Sequence, residues 1–219
     1  MPEFPPTTEQ QTILDAVKTT KQSLMIRARA GCGKTTMLEL IDAAEKTQPY
    51  LLMCFNKAIA TEAEKRMRSA TTVRTFNSLG HKIWAAAVDR RLTLAKTKIR
   101  DIFKGIVDEA SRSDRSQLWS MYDSVLNATS IARNIGYIPP KHVKSHKSLC
   151  DFRAVERLLD ETLLPEAEAL IDKILILSIA QAYEGVIDFT DQVYMPALFG
   201  GTYPSFPVVL VDEYQDLSP

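Results

Sequence analysis

The amino-acid sequence predicts an α/β fold, in which a parallel sheet is covered by helices and interrupted by an all-helical insert. Three observations indicate this. Short apolar strands alternate with helices over residues 1–90, the alternation stops over residues 91–185, and it resumes up to an apolar strand at residues 208–211. Strands that alternate with helices usually pair in parallel and need cover on both faces, so we expect a helix-covered parallel sheet.

The first ninety residues carry the elements of the sheet in order. Thr7 or Thr8 can cap a helix that runs to about residue 21. Apolar runs predict buried strands at residues 23–28 and 50–55, and a short third strand at residues 72–75. A helix with an apolar face is expected after each strand: after the glycines of residues 31 and 33, from Asn56 to about Met67, and over residues 77–87.

The insert shows helical periodicity and no clear strand. Helices are predicted at residues 99–110, 117–134 and 165–184, and the prolines within residues 138–140 interrupt them. A further helix is expected to begin within residues 188–191, ahead of the last strand.

Composition excludes several classes of protein. The 219 residues carry no net charge, so no overall field indicates a nucleic-acid partner. Three widely spaced cysteines form no CxxC pair, which argues against a zinc site or a disulfide framework. The N-terminus lacks the pattern of a signal peptide, and the longest apolar run, at residues 174–180, is too short to cross a bilayer. We therefore expect a cytoplasmic protein without a membrane partner.

Residues 28–35 have the composition of a phosphate-binding loop. Backbone N–H groups can approach a polyphosphate at Gly31 and Gly33, and the helix that follows presents its positive end to the anion. Lys34 can reach the β- and γ-phosphates, and the hydroxyl of Thr35 can bind magnesium. The residues expected to contact the nucleotide are Gln10, Ala30, Gly31, Cys32, Gly33, Lys34, Thr35 and Thr36.

Carboxylates follow the last apolar strand. Asp212 ends this strand, where an acid that holds Mg²⁺ is expected. Glu213 can orient and deprotonate the attacking water, and Gln215 can contact the γ-phosphate or that water. A polar turn is the alternative interpretation of Gln215 and Asp216. The catalytic residues are thus predicted to be Lys34, Glu213 and Gln215, in a site that binds ATP and Mg²⁺.

A glutamine near the first helix indicates the base of the nucleotide. The amide of Gln10 can pair with the N6/N7 edge of adenine, which would select ATP. Gln11 offers the same amide next to it, so composition alone leaves both open.

Six motifs in order resemble the superfamily 1 DNA helicases of the UvrD/Rep type. Residues 7–10 are similar to their Q motif, residues 28–35 to motif I, residues 55–60 to motif Ia and residues 73–79 to motif Ib. Residues 187–191 and 211–216 resemble the DFxD stretch and motif II. The resemblance implies a RecA-like P-loop NTPase domain at residues 1–90 and 186–219, and a helical 1B-like subdomain at residues 91–185.

The resemblance also implies single-stranded DNA as a partner. Motifs Ia and Ib line the DNA path in this family, and the matching positions here are Phe55, Asn56, Lys57, Thr75, Phe76 and Asn77. Aromatic side chains can stack on bases, and lysine and asparagine can hold phosphates. Alternatively, Phe55 and Phe76 are core residues.

Members of this family continue beyond motif II into a second RecA-like domain. We therefore expect an N-terminal fragment of an ATP-dependent DNA helicase or translocase, with little ATPase activity of its own because arginines of the second domain complete the site. A nucleotide switch or binding module without unwinding activity, and a P-loop kinase, are the alternatives that the sequence leaves open.

Overall fold

A computed structural model describes residues 5–29, 31–44, 47–143, 145–160 and 162–216 of the chain, apart from the side chains of Val143 and Asp216. The chain divides into two compact units. The first comprises the described residues up to Phe76 and those from Pro204 onwards, and the second comprises Asn77–Tyr203. These boundaries differ from those expected for an insert at residues 91–185, and the functional division of the chain stays a prediction.

A three-stranded parallel sheet forms the first unit. Its strands are β1 (Tyr50–Cys54), β2 (Thr72–Thr75) and a C-terminal strand (Val208–Val211) that is numbered β5 below, in the order β2-β1-β5. Every residue of β1 is buried, as expected for a central strand with cover on both faces. In β5 exposure alternates instead, and Val209 and Val211 are 51% and 37% exposed.

Three helices of the first unit pack on this sheet: α1 (Thr8–Thr19), α2 (Lys34–Ala44) and α3 (Lys57–Arg66). α1 begins with a capping box, in which the Thr7 hydroxyl accepts from the backbone N–H of Gln10 and the Gln10 side chain accepts from that of Thr7. Leu14 of α1 packs with Leu40 and Ile41 of α2 against Tyr50. The predicted helices of this region are confirmed to within a few residues.

The strand predicted at residues 23–28 is wrong. Residues 23–29 form neither strand nor helix, and Leu24, Met25 and Ile26 are 46%, 59% and 37% exposed. A strand exists only where a neighbour satisfies its backbone hydrogen bonds, and no described strand pairs with this segment. An apolar run therefore did not suffice to predict a strand.

The second unit is mainly helical. Its helices are α4 (Phe76–Val88, whose first residue belongs to the first unit), α5 (Lys98–Glu109), α6 (Arg112–Ser120), α7 (Tyr122–Asn134), α8 (Pro140–Val143), α9 (Phe152–Glu156), α10 (Ala167–Tyr183) and α11 (Asp191–Phe199). Its two short strands are β3 (Thr93–Leu94) and β4 (Val186–Ile187). Its larger core cluster combines apolar side chains of α5, α7, α9 and α10. No helix within the described ranges is long and apolar enough to span a membrane.

Two details of the second unit differ from prediction. The helix predicted at residues 117–134 is two helices, because the chain turns at Met121, whose N–H donates to the Leu118 carbonyl over 3.1 Å. The region also contains β3, which pairs in parallel with β4 over two residues. Both features depend on tertiary packing that helical periodicity does not encode.

A buried ionic network joins four helices of this unit, α5, α7, α10 and α11. Lys98 of α5 donates to Asp191 over 2.6 Å and to the Ser178 carbonyl of α10 over 2.7 Å. Arg133 of α7 donates to both oxygens of Asp188, one of them at 2.7 Å, and to Asp191 over 2.8 Å. Two bases thus neutralise two acids in the protein interior, where an unpaired charge would be costly.

Candidate functional site

The loop before α2 depends on its two glycines. Gly31 and Gly33 have φ angles of 77° and 74°, which side-chain-bearing residues rarely adopt. The N–H of Cys32 donates to the Arg29 carbonyl over 3.2 Å, which closes a turn, and α2 begins directly afterwards at Lys34. Cys32 is exposed in this turn. Ala30, also predicted to contact the nucleotide, lies outside the described residues.

Lys34 and Glu213 meet across this loop. The Nζ of Lys34 lies 2.9 Å from Oε2 of Glu213, and the two side chains are 34% and 28% exposed. The residues are 179 positions apart in the chain. The fold of the first unit therefore brings the predicted phosphate-binding lysine and the predicted general base into direct contact.

Sheet pairing positions the carboxylates. β5 lies beside β1, and this pairing extends one residue further because the Asp212 N–H donates to the Met53 carbonyl over 3.0 Å. The chain then turns at Glu213, whose φ angle is 52°. The Glu213 N–H donates to Oδ1 of Asp212 over 3.0 Å, and the Gln215 side-chain amide donates to Oε2 of Glu213.

The environment separates the pKa values of the two neighbouring acids. Hydrogen bonds from Lys34 and Gln215 hold the pKa of Glu213 below its ordinary value. Burial, followed by repulsion from Glu213, raises the pKa of Asp212. Asp212 is 8% exposed at the end of the strand. The two neighbouring acids are thus shifted in opposite directions, and Glu213 is the more readily ionised of the two.

The hydroxyls of the first turn of α2 lie near the glycine loop. Thr35 and Thr36 are both partly buried, and a β-carbon placed on Gly33 would lie 3.7 Å from Cβ of Thr36. Among the described residues no group of three histidines, cysteines or acids could hold a metal ion. The protein ligands predicted for Mg²⁺, Thr35 and Asp212, are one hydroxyl and one carboxylate.

The structure places Gln10 at the edge of this loop. Its Oε1 accepts from the Thr7 N–H over 2.9 Å in the capping box, and its Nε2 would be 3.9 Å from a β-carbon on Gly33. A carbonyl oxygen has a second lone pair, so the amide can still offer a donor and an acceptor. The positioning role of Thr7 was not predicted, although the spacing of Thr7 and Gln10 is a readable capping-box signature.

The six residues expected to contact DNA divide between the two units. In the first unit, Phe55 directly follows β1 and is 51% exposed, and Lys57 is exposed at the start of α3. Asn56 caps α3, because its Oδ1 accepts from the Ile59 N–H over 2.9 Å. Thr75 ends β2, and Phe76 is partly buried.

Asn77 belongs to the second unit. Its Nδ2 donates to the Phe189 carbonyl over 2.8 Å, which joins the start of α4 to the segment before α11. Both Asn56 and Asn77 thus have a local structural role besides any contact with a ligand.

The family model described as the UvrD/REP helicase N-terminal domain matches residues 8–219, almost the whole chain. No curated protein and no solved structure gives a significant match. The family match includes α1 with Gln10, the glycine loop with Lys34, and β5 with Asp212 directly after it. The chain therefore belongs to the UvrD/REP helicase family, of which it carries the N-terminal domain.

Proposed function

We propose that the first unit binds ATP with Mg²⁺, and that the chain is the first RecA-like motor domain of an ATP-dependent DNA helicase or translocase. The contact between Lys34 and Glu213 carries this proposal. It unites a phosphate-binding side chain and an acid that can activate water, although the two come from opposite ends of the chain. The family match supports the same function.

Each residue of the site has a distinct role in this proposal. The backbone N–H groups of residues 31–36 bind the phosphates, and Lys34 leaves Glu213 to contact the β- and γ-phosphates. Glu213, thereby freed, accepts a proton from the attacking water, and Gln215 orients that water. Gln10 contacts the adenine edge.

The chemistry of the ligands fits Mg²⁺. This ion is usually held by one or two carboxylates together with water and substrate phosphates, so the absence of a three-acid cluster among the described residues does not count against it. Oδ1 of Asp212 accepts from the Glu213 N–H over 3.0 Å. Asp212 and Thr35 would hold the ion, which would neutralise charge on the phosphates when bound.

Single-stranded DNA is the second ligand that we propose. Phe55 offers an exposed ring at the carboxyl end of β1, and the neighbouring Lys57 offers a cation, a combination that suits base stacking next to phosphate binding. Thr75, Phe76, Asn56 and Asn77 complete the proposed set. We assign a 1B-like role in holding DNA to the helices of residues 91–185.

Nucleotide binding by the 219-residue chain tests the ATP site. A fluorescent ATP analogue should bind in the presence of Mg²⁺, and Lys34→Ala should weaken binding at least about tenfold because a charged contact to phosphate is lost. Lys65→Ala is the matched control, since Lys65 is an exposed lysine of α3 in the same unit. Equal binding by all three proteins would contradict the proposed site.

Hydrolysis separates a motor from a passive binder. We expect slow ATP turnover by this chain alone, and expect Glu213→Gln to abolish it while ATP binding remains. If Glu213→Gln turned over ATP at the unchanged rate, Glu213 would not be the base. If DNA neither bound to the chain nor changed its turnover, a nucleotide switch would become the better interpretation.

A further inference from the structure

The second unit contains a cavity of about 220 Å³ whose lining is mostly cationic and hydroxylic. It lies between the first turn of α5, the middle of α7 and the segment before α11. The polar residues that matter for the argument are Lys96, Thr97, Arg100, Ser130, Arg133 and Asp188. The cavity is smaller than the roughly 300–1,000 Å³ of typical small-molecule pockets, so it suits a single small group.

The positive charge of this cavity is not neutralised internally. Its lining contains three bases and one acid, but Asp188 is fully engaged by Arg133 in the buried network. Lys96 and Arg100 are exposed, and neither forms an ion pair with a described residue. Of two further acids, Asp191 is paired with Arg133 and Lys98, and Asp101 accepts a hydrogen bond from Thr97 over 2.6 Å. Two cationic side chains therefore remain available to an anion.

A buried donor without a partner also indicates that the cavity can bind an anion. Arg133 is 5% exposed and lines the cavity, and its Nε is buried without a hydrogen-bond partner among the described residues. Buried donors are rarely left unpaired, because they lose their hydrogen bonds to water without gaining a partner. The N–H groups of the first turn of α5 have no partner within the helix and are not capped by the hydroxyl of Thr97, although that of Lys98 donates to the Ala95 carbonyl over 3.2 Å.

We propose that this cavity binds a phosphate group. Arginine matches the geometry of phosphate oxygens, and the hydroxyl of Ser130 adds a donor from another direction. The group is either a free phosphate or one phosphate of a nucleic-acid backbone. The proposal goes beyond the ATP site, because every residue that carries it belongs to the second unit.

Titration of the ¹⁵N-labelled chain with inorganic phosphate tests the site. The experiment uses the Lys34→Ala variant, so that the glycine loop does not contribute. We expect phosphate to shift the Arg133 Nε–H signal and the backbone N–H signals of residues 97–100. Adding Arg100→Gln should weaken the response about tenfold, because a charged hydrogen bond is lost. Arg112→Gln, an exposed arginine of α6 outside the lining, should leave it unchanged.

A second arm identifies the source of the phosphate. The measured quantity is the slope of log K against log salt for binding of an oligothymidylate of about ten nucleotides. If a backbone phosphate occupies the cavity, Arg100→Gln should reduce the magnitude of this slope by roughly 0.7. If a free phosphate occupies it, the slope should stay unchanged. Either result, together with the phosphate-induced shifts, supports the site. Absence of these shifts, or a response of Arg100→Gln equal to that of Arg112→Gln, would overturn the proposal, and neither outcome bears on ATP binding by Lys34.

Discussion

Lys34 Nζ and Glu213 Oε2 lie 2.9 Å apart, so the lysine that is proposed to bind phosphate already has an anionic partner. A nucleotide that binds here must replace one anion with another. The contact therefore sets both the affinity of the site for phosphates and the readiness of Glu213 to act as a base.

Glu213→Gln should bind ATP more tightly than the wild type, by about twofold to fivefold. The substitution removes the partially exposed ion pair that competes for Lys34, and such pairs contribute about 0.2–1 kcal/mol. Titration with a fluorescent ATP analogue would measure this. Glu62→Gln is the control, because it removes an ion pair with Arg66 elsewhere in the first unit. Weaker binding by Glu213→Gln would show that Glu213 supports the nucleotide rather than competing with it.

Cys32 in the glycine loop and Cys54 in the sheet should differ in their reactivity towards an alkylating agent. Cys32 is exposed, whereas Cys54 is buried and its pKa is raised to about 11, by burial first and then by the charge of Asp212. We expect iodoacetamide to modify Cys32 and spare Cys54, since the thiolate is the reactive form. Mass spectrometry would locate the label. ATP with Mg²⁺ should protect Cys32, and a lack of protection would place the nucleotide elsewhere.

Gly80→Ala should destabilise the second unit by at least about 1–3 kcal/mol. A β-carbon on Gly80 would lie 1.8 Å from the Gln192 carbonyl oxygen, so the backbone of α4 or α11 must move. Gly105→Ala is a matched control, because its β-carbon meets nothing within 4 Å and alanine favours a helix by about 1 kcal/mol. Urea unfolding followed by tryptophan fluorescence would measure both, and equal effects would contradict the close packing.

Asp188→Asn should lower the free energy of unfolding of the second unit by about 3–5 kcal/mol at neutral pH. It leaves the buried charge of Arg133 without its main partner. Both tryptophans of the chain, Trp84 and Trp119, belong to this unit, so their fluorescence reports its unfolding. The control is Asp108→Asn, an exposed acid of α5, for which little change is expected.

The same residue gives the network a defined pH dependence. Burial opposes ionisation of Asp188, but the hydrogen bonds and charge of Arg133 outweigh it and lower the pKa of this carboxyl. Its contribution to stability is therefore complete above the ordinary pKa of about 3.9 and declines as the pH falls through the lower folded-state value. The stability difference between wild type and Asp188→Asn should narrow in that acidic range. A difference that is constant with pH would show that Asp188 does not titrate with folding.

Local signals in the sequence were sufficient for much of the fold. Apolar runs identified β1, β2 and β5, and Asn56 marked the start of α3 because its side chain caps the helix there. The prediction of a strand at residues 23–28 was wrong because strand formation depends on a neighbouring strand, which an apolar run does not specify. The break at Met121 was also not predicted, because it depends on how two helices pack.

For the candidate site, local sequence predicted the types of residue and the fold supplied their arrangement. The glycine loop and the acids after β5 were recognisable separately, and parallel pairing of β5 with β1 places the acids at the strand end. The cavity around Arg133 could not be predicted. Arg133 is 55 positions from Asp188, and no local pattern shows that a helix residue will pair with it.

The left-handed backbone of Glu213 has an energetic consequence for ligand exchange. A non-glycine residue in this region carries about 1–2 kcal/mol of conformational strain. Rotation of Glu213 back to an ordinary β or α conformation would release that strain at the moment when its carboxylate separates from Lys34. The relaxation would offset part of the lost ion-pair energy, so the strained backbone of Glu213 would favour release of Lys34.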